Sequence, residues 1–209
     1  MLCCPRVMKF EAKGVAKAFA GPPIFRDVSL SAEMGLVAVT GRNGSGKSTL
    51  LKIFAGLMRP SRGSITLWNG AAKLPDGDRL AIGFASPELE FPDELTAVEN
   101  LALLARSAGR SVTIHDIELR LEELGLAASA RHRRVGEFSS GMKQRVRLAF
   151  SLLLDPPVLL WDEPYSNLDT HGIDAARALM HARRDIGLVI LATNDRRDIE
   201  DADAEVSLS

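Results

Sequence analysis

Gly41-Arg42-Asn43-Gly44-Ser45-Gly46-Lys47-Ser48-Thr49 decides how this chain is read. A glycine, four residues and then Gly-Lys-Ser is the spacing of a loop that wraps phosphates in backbone amides, and Gly44 adds a further position without Cβ where amides can turn inward. Before the loop, Leu36-Val37-Ala38-Val39-Thr40 is apolar and partly β-branched; after it, Leu50-Leu51-Lys52-Ile53-Phe54-Ala55 has helical spacing. The order is strand, loop, helix. Amides at the start of that helix point at an anion, the helix dipole favours it, and the Lys47 ammonium reaches the terminal phosphates. Ser48 supplies a hydroxyl to Mg²⁺, and Thr49 one to a phosphate nearer the ribose. A chance glycine-rich turn would not combine this spacing with these residue types and these flanks.

Downstream, Val158-Leu159-Leu160-Trp161 is the kind of uniformly apolar strand that is buried on both faces of a parallel sheet, and it ends in Asp162-Glu163. Carboxylates at the end of a buried strand are costly without cationic partners, so a bland structural role is disfavoured. Beside a phosphate loop the pair suits Mg²⁺ chemistry, with Asp162 holding the metal through water and Glu163 taking a proton from the attacking water. Ile173 to Arg184 reads as a helix and Leu188-Val189-Ile190-Leu191-Ala192 as another buried strand, which completes an alternating α/β pattern.

Upstream, Lys9 to Leu30 reads as short strands, Lys9-Phe10-Glu11-Ala12, Ile24-Phe25 and Val28-Ser29-Leu30, turned by Gly21-Pro22-Pro23. Phe19, just before that turn, is by default a core or edge aromatic. Between Ile82-Gly83-Phe84-Ala85 and Arg134 the composition becomes helical. Thr96 is placed as an N-cap with Glu99 completing a capping box, and a helix around Ile114 to Leu124 ends at Gly125. Phe138-Ser139-Ser140-Gly141-Met142 leads into an amphipathic helix with polar residues in its first half, Ser139 being its N-cap. Arg131-His132-Arg133-Arg134, with no interleaved aromatic, reads as a solvated helix end.

The fold expected is an α/β P-loop core with a mainly parallel sheet, a small antiparallel β subdomain and an inserted helical subdomain. We divide residues 1–209 as a single nucleotide-binding domain, with 8–86 and 155–209 as catalytic core and 87–154 as the helical subdomain and the helix after Ser139. With 26 Lys and Arg against 27 Asp and Glu, the net charge of -1 gives no general reason to bind nucleic acid or an anionic membrane. No apolar run approaches the roughly 20 residues that cross a bilayer. Cys3 and Cys4 are adjacent, which suits neither a fold-closing disulfide nor a metal site and agrees with a reducing cytoplasmic setting. Residues 1–6 read as a frayed end.

The phosphate loop, then Phe138-Ser139-Ser140-Gly141-Met142, then Leu159-Leu160-Trp161-Asp162-Glu163-Pro164, then Ser166-Asn167-Leu168-Asp169, together resemble the ATP-binding cassette ATPases in order and separation. The resemblance implies ATP and Mg²⁺ as ligands and a head-to-tail pair of cassettes, identical or not. ATP is then held between Gly41, Asn43, Gly44, Ser45, Gly46, Lys47, Ser48 and Thr49 of one chain and the signature Ser139, Ser140 and Gly141 of the other. It implies that Phe19 stacks on adenine, that Asp169 couples the two sites, and that Ser48 and Asp162 serve the metal. Glu163, Lys47 and Asn194 are then the catalytic set. Three departures are noted. In the signature, Ser140 and Met142 replace the commoner glycine and glutamine without loss of the helix N-terminus, and function is expected to survive. Pro87, in Ala85-Ser86-Pro87-Glu88, occupies the place of a usual glutamine, leaving Ser86, Glu88 or water to replace it. Asn194 occupies the place of a histidine, where an amide donates a hydrogen bond without charge and slower turnover is expected.

The function expected is the ATPase subunit of a membrane transporter, peripheral on the inner face of the cell membrane and bound to separate membrane-spanning subunits. Within the family the chain resembles small exporter-type cassettes, such as those of haem export in cytochrome c maturation. The alternative is a soluble cassette ATPase, or a weakly hydrolysing ATP switch, that acts on a macromolecular complex.

Overall fold

A computed structural model describes residues 8–75 and 79–208; the reading of residues 1–6, with Cys3 and Cys4, lies outside them. β1 (Met8–Ala18) and β2 (Pro23–Ala32) are followed by β3 (Gly35–Gly41), which runs into the phosphate loop and α1 (Lys47–Phe54). β4 (Arg62–Asn69) and β5 (Ala72–Lys73) form a hairpin, and β6 (Ile82–Ala85) precedes α2 (Ala97–Ser107), α3 (Ile114–Glu123), the short α4 (Ala128–Arg131) and α5 (Ser140–Leu152). β7 (Val158–Asp162), α6 (Thr170–Arg184), β8 (Leu188–Ala192), α7 (Arg196–Glu200) and β9 (Ala204–Leu208) complete the order.

One sheet, in the order β2-β1-β4-β5, is antiparallel; the other, β6-β7-β8-β3-β9, is parallel throughout. The expectation of several short strands before Leu30 is corrected. Lys9–Ala12 is part of one 11-residue strand, and Ile24 to Leu30 lies within one 10-residue strand. Bulges replace the expected breaks: the β1–β2 register shifts between Ala12 and Val15, where Gly14 has φ 55°, and Asp27 on β2 has φ 53°.

Every residue of β7 and β8 is buried. Their alternate side chains enter different cores, as the two-residue period of a strand requires. Leu159, Trp161, Val189 and Leu191 pack with Leu101, Leu121 and Leu148 of the helical region, whereas Val158, Leu160, Leu188 and Ile190 pack with Leu50, Ile53 and Phe54 of α1 and with Phe10 of β1. Burying a side chain of this size contributes about 1.5–3 kcal/mol. That leaves no tolerated polar position before the strand end, which is where the polar residues appear.

Caps set the helix boundaries. Thr96 and Glu99 form the expected box, Thr113 and Asp116 form a second, and Ser139 and Asp169 start α5 and α6 at Ser140 and Thr170 by accepting hydrogen bonds from Met142 and Gly172 amides. In the basic cluster, Arg131 pairs with Glu122, His132 lies 3.0 Å from Glu118, and Arg133 pairs with Glu137. Among the described residues no helix is long and apolar enough to cross a membrane.

The topology gathers the site. β7, β8 and β3 are neighbours with one direction, and the register pairs Asp162 with Ala192 and Ala192 with Val39. The loops that leave their carboxyl ends therefore share one edge of the sheet, the position where open α/β sheets bind ligands.

Candidate nucleotide site

The phosphate loop is a backbone cradle that side chains would obstruct. Gly41, Gly44 and Gly46 have φ 144°, 84° and 98°. A Cβ on Gly41 would lie 2.5 Å from the Leu208 carbonyl oxygen, and one on Gly46 would lie 2.6 Å from Ile24 Cγ2, so β9 and β2 press on the loop from both sides. Gly46 is the N-cap of α1 without any side-chain cap, and no acidic residue follows in the first turn, which leaves the amide end of the helix uncompensated. Lys47 is buried and donates to the carbonyl oxygens of Gly41 (2.7 Å) and Arg42 (3.3 Å). Ser45 Oγ is buried with no hydrogen-bond partner. An orphaned hydroxyl and a lysine folded back on its own loop fit a phosphate-bearing ligand.

The Ser48 hydroxyl, on α1, lies by the carboxylate of Asp162 at the end of β7. Asp162 is 3 % exposed, and its Oδ1 has no partner. Burial pushes its carboxyl above the ordinary carboxylate range and the Ser48 hydroxyl opposes the rise; Glu163 and Glu88 add to it and Lys52 offsets it. A buried carboxylate oxygen left unpaired beside a hydroxyl is the donor set a hard divalent cation takes, usually with waters, so these residues fit Mg²⁺. Glu163 is exposed at φ 46°, unfavourable for a side-chain-bearing residue, and is fixed there by its amide donating to the Ala192 carbonyl oxygen (3.1 Å) and by Ser166 N donating to its own carbonyl (3.2 Å). Pro87 is half-buried. Ser86 is buried, its hydroxyl accepting from the Glu88 amide, while the Glu88 carboxylate pairs with Lys52 of α1 at 2.5 Å.

The Asn194 carboxamide lies on the phosphate loop. Its nitrogen is 3.1 Å from Asn43 Oδ1; turned over, it donates to the carbonyl oxygens of Gly41 (2.9 Å) and Thr193 (3.2 Å). The turn that presents it is anchored from behind. Arg177 of α6 donates to Asp195 (2.8 Å) and Asp198 (3.2 Å), Asp198 accepts from the Thr193 hydroxyl (3.0 Å), and the Arg177 guanidinium stands 4.7 Å from the centroid of the Tyr165 ring. The Arg197 side chain, with Arg177, pulls the Asp195 carboxyl down to about 2.

Ser139 and Ser140 are exposed at the start of α5, whose first turn also lacks an acidic residue. A Cβ on Gly141 would lie 2.6 Å from the Asn167 carbonyl oxygen, so the signature and the loop before α6 touch backbone to backbone. Asp169 accepts from the Gly172 amide and from Arg145, each at 2.7 Å, and these hold its carboxyl below the usual range. Phe19 is 58 % exposed, with Lys17 Nζ 5.0 Å from its ring centroid.

The sequence family described as ABC transporter matches residues 25–166. The chain belongs to this family. It is 33 % identical to the lipoprotein-releasing system ATP-binding protein LolD of Oleidesulfovibrio alaskensis over 206 residues, covering 92 % of this chain and 89 % of that one. It is 41 % identical over 150 residues to the ABC transporter ATP-binding protein NatA of Bacillus subtilis, covering 69 % of this chain and 60 % of NatA. A solved ATP-binding subunit of an ABC transporter superposes with a TM-score of 0.81 at 29 % identity, over 95 % of this chain and 85 % of that one. As an ABC protein it has the P-loop fold expected, and it is an ATP-binding ATPase.

Several residues of this ABC site escaped sequence reasoning. Gln144, Arg145 and Arg147 are buried, although they fall in the polar half of the helix after Ser139. Arg177, Asp195 and Asp198 carry no motif. The signal for the last group was faint but present: three charged side chains flanking the buried strand Leu188–Ala192 and the loop that follows it need partners.

Proposed function

We propose that this ABC protein is the ATP-hydrolysing subunit of a membrane transporter, and that it works by closing on a second cassette with ATP between them. Gly41, Asn43, Gly44, Ser45, Gly46, Lys47, Ser48 and Thr49 hold the phosphates, Lys47 exchanging its two carbonyl acceptors for phosphate oxygens. Phe19 stacks on the base. Ser48 and Asp162 hold Mg²⁺, which when bound neutralises charge on the phosphate oxygens. Glu163 accepts a proton from the water whose oxygen bonds to the γ-phosphorus as the bond to the bridging oxygen breaks; Asn194 donates to a γ-phosphate oxygen and leaves Asn43. The place of the usual glutamine falls to Ser86, whose hydroxyl accepts from the Glu88 amide, to Glu88, whose carboxylate is paired with Lys52, or to water.

The observation that carries this reading is the orphaned Asp162 Oδ1, buried beside the Ser48 hydroxyl at the mouth of the phosphate loop. Ser139 and Ser140 of the signature are exposed, and the amide end of α5, capped by Ser139 but free of acidic residues, suits the γ-phosphate of a partner's ATP, with Ser139, Ser140 and Gly141 as the contact. Asp169, bonded within its own chain, acts by fixing the start of α6 beside that contact. Residues 87–154 form the part that meets the membrane-spanning subunits, at the inner membrane face. Turnover measured against protein concentration tests the pairing: a rate that rises more steeply than linearly, and is lost in Glu163→Gln, is expected. Co-purification with membrane-spanning proteins after detergent extraction tests the transporter assignment.

A further inference from the structure

α5 makes polar contacts from buried side chains that the nucleotide site does not use. Arg147, 7 % exposed, donates through Nε to the Leu89 carbonyl oxygen (2.7 Å), through one terminal nitrogen to Glu90 (3.4 Å) and through the other to Gln144 Oε1 (3.4 Å). Gln144, 1 % exposed, donates in turn to the Pro164 carbonyl oxygen at 2.9 Å. Pro164 follows Glu163 directly. A continuous chain of hydrogen bonds therefore runs from the segment after β6 to the residue beside the proposed base. The same segment is held at Glu88 by Lys52 of α1, so two ion pairs, Glu88 with Lys52 and Glu90 with Arg147, strap it between the helix of the phosphate loop and the helix of the signature.

From this we infer that Arg147 is a positioning residue, and that the Leu89–Arg147–Gln144–Pro164 path sets the placement of Glu163 according to where residues 86–90 lie. The inference rests on the proposed role of Glu163. A buried guanidinium satisfied by a carbonyl, a carboxylate and an amide oxygen is costly to leave unpaired, so the segment and α5 move together. Gln144 fixes the Pro164 carbonyl, and the strained Glu163 backbone, with its positive φ, has little freedom to absorb a shift there. Displacing residues 86–90 thus changes the aim of Glu163 along a path through α5 that is separate from the Glu88–Lys52 strap on α1.

The test uses the full chain with Arg147→Met and Arg147→Lys, scoring ATP turnover per bound-ATP site and, without nucleotide, amide exchange over the segment 163–168, in which Pro164 alone has no amide proton. A turnover number lowered about tenfold in Arg147→Met at an unchanged KM, the scale set by small misplacements of a reacting group, partly restored in Arg147→Lys and accompanied by faster exchange at 163–168, supports the relay. Turnover per site equal to the parent, or a loss that Arg147→Lys does not lessen, overturns it. Unchanged exchange at 163–168 in Arg147→Met also overturns it. A parent protein without turnover would count against the reading of Glu163, and exchange alone would then decide the relay.

Discussion

The Asn194 side chain rests on Asn43, across the gap between the end of β8 and the phosphate loop, with its carboxamide 3.1 Å from Asn43 Oδ1. On the proposed role of Asn194 at the γ-phosphate, a neutral amide stands where a charge would favour hydrolysis. Asn194→His is expected to raise turnover, most below the ordinary histidine pKa of about 6.5, where the ring is charged. Asn194→Ala is expected to lower turnover about tenfold with little change in ATP affinity. Steady-state phosphate release at pH 6 and pH 8 checks both.

Glu163→Gln keeps the size of the side chain but cannot take a proton. Turnover should fall by at least about a hundredfold, the usual scale for a lost general base. ATP binding should persist, and size-exclusion chromatography with Mg²⁺ and ATP should show a dimer that the parent forms only transiently.

Asp162→Asn removes the buried carboxylate whose oxygen has no partner. Without ligands the variant is expected to be more stable than the parent, by about 2–4 °C in Tm for each kcal/mol, while losing turnover. The sign with pH follows from the raised carboxyl. The folded chain holds its proton where the unfolded chain does not, so this group's contribution is present below the ordinary carboxylate pKa and is lost as pH rises through the raised folded value. The Tm advantage of Asp162→Asn should therefore shrink on acidification, as calorimetry across pH 4 to 8 would reveal.

Arg177→Met leaves Asp198, 1 % exposed, without its guanidinium. Breaking a buried pair from one side costs about 3–5 kcal/mol, and urea denaturation at pH 7 should show a loss of that order. Asp195, held at about 2 by Arg197 and then Arg177, has the opposite sign to Asp162: its stabilisation is present above the ordinary carboxylate value and is lost as pH falls through about 2. The parent should consequently lose more stability than the variant over that acid window.

The sequence exposed those parts whose chemistry is local. Gly41 to Thr49 announces a phosphate loop because the backbone geometry needs glycine at fixed spacing, and Val158 to Trp161 announces a buried strand because both of its faces are covered. Thr96 with Glu99 is legible because a cap and its partner sit on one turn. By contrast, Gln144, Arg145 and Arg147 look like an ordinary wet helix face. They are buried because their acceptors, at Pro164, Asp169 with Leu124, and Leu89, arrive from loops distant in the chain. Helical periodicity cannot report that. The long strands β1 and β2 were hidden for a related reason, since Gly14 and Asp27 look like breaks until a neighbouring strand shows that the pairing resumes beyond them.

The division of β7 and β8 between two cores has an evolutionary consequence. Leu159, Trp161, Val189 and Leu191 face the helical region, and Val158, Leu160, Leu188 and Ile190 face α1, so the sheet works as a partition. Substitutions on opposite sides share few neighbours and should combine nearly additively. A lineage could then repack α2 and α3 on the helical side to suit a new partner while α1 and the phosphate loop beyond the sheet stayed as they were.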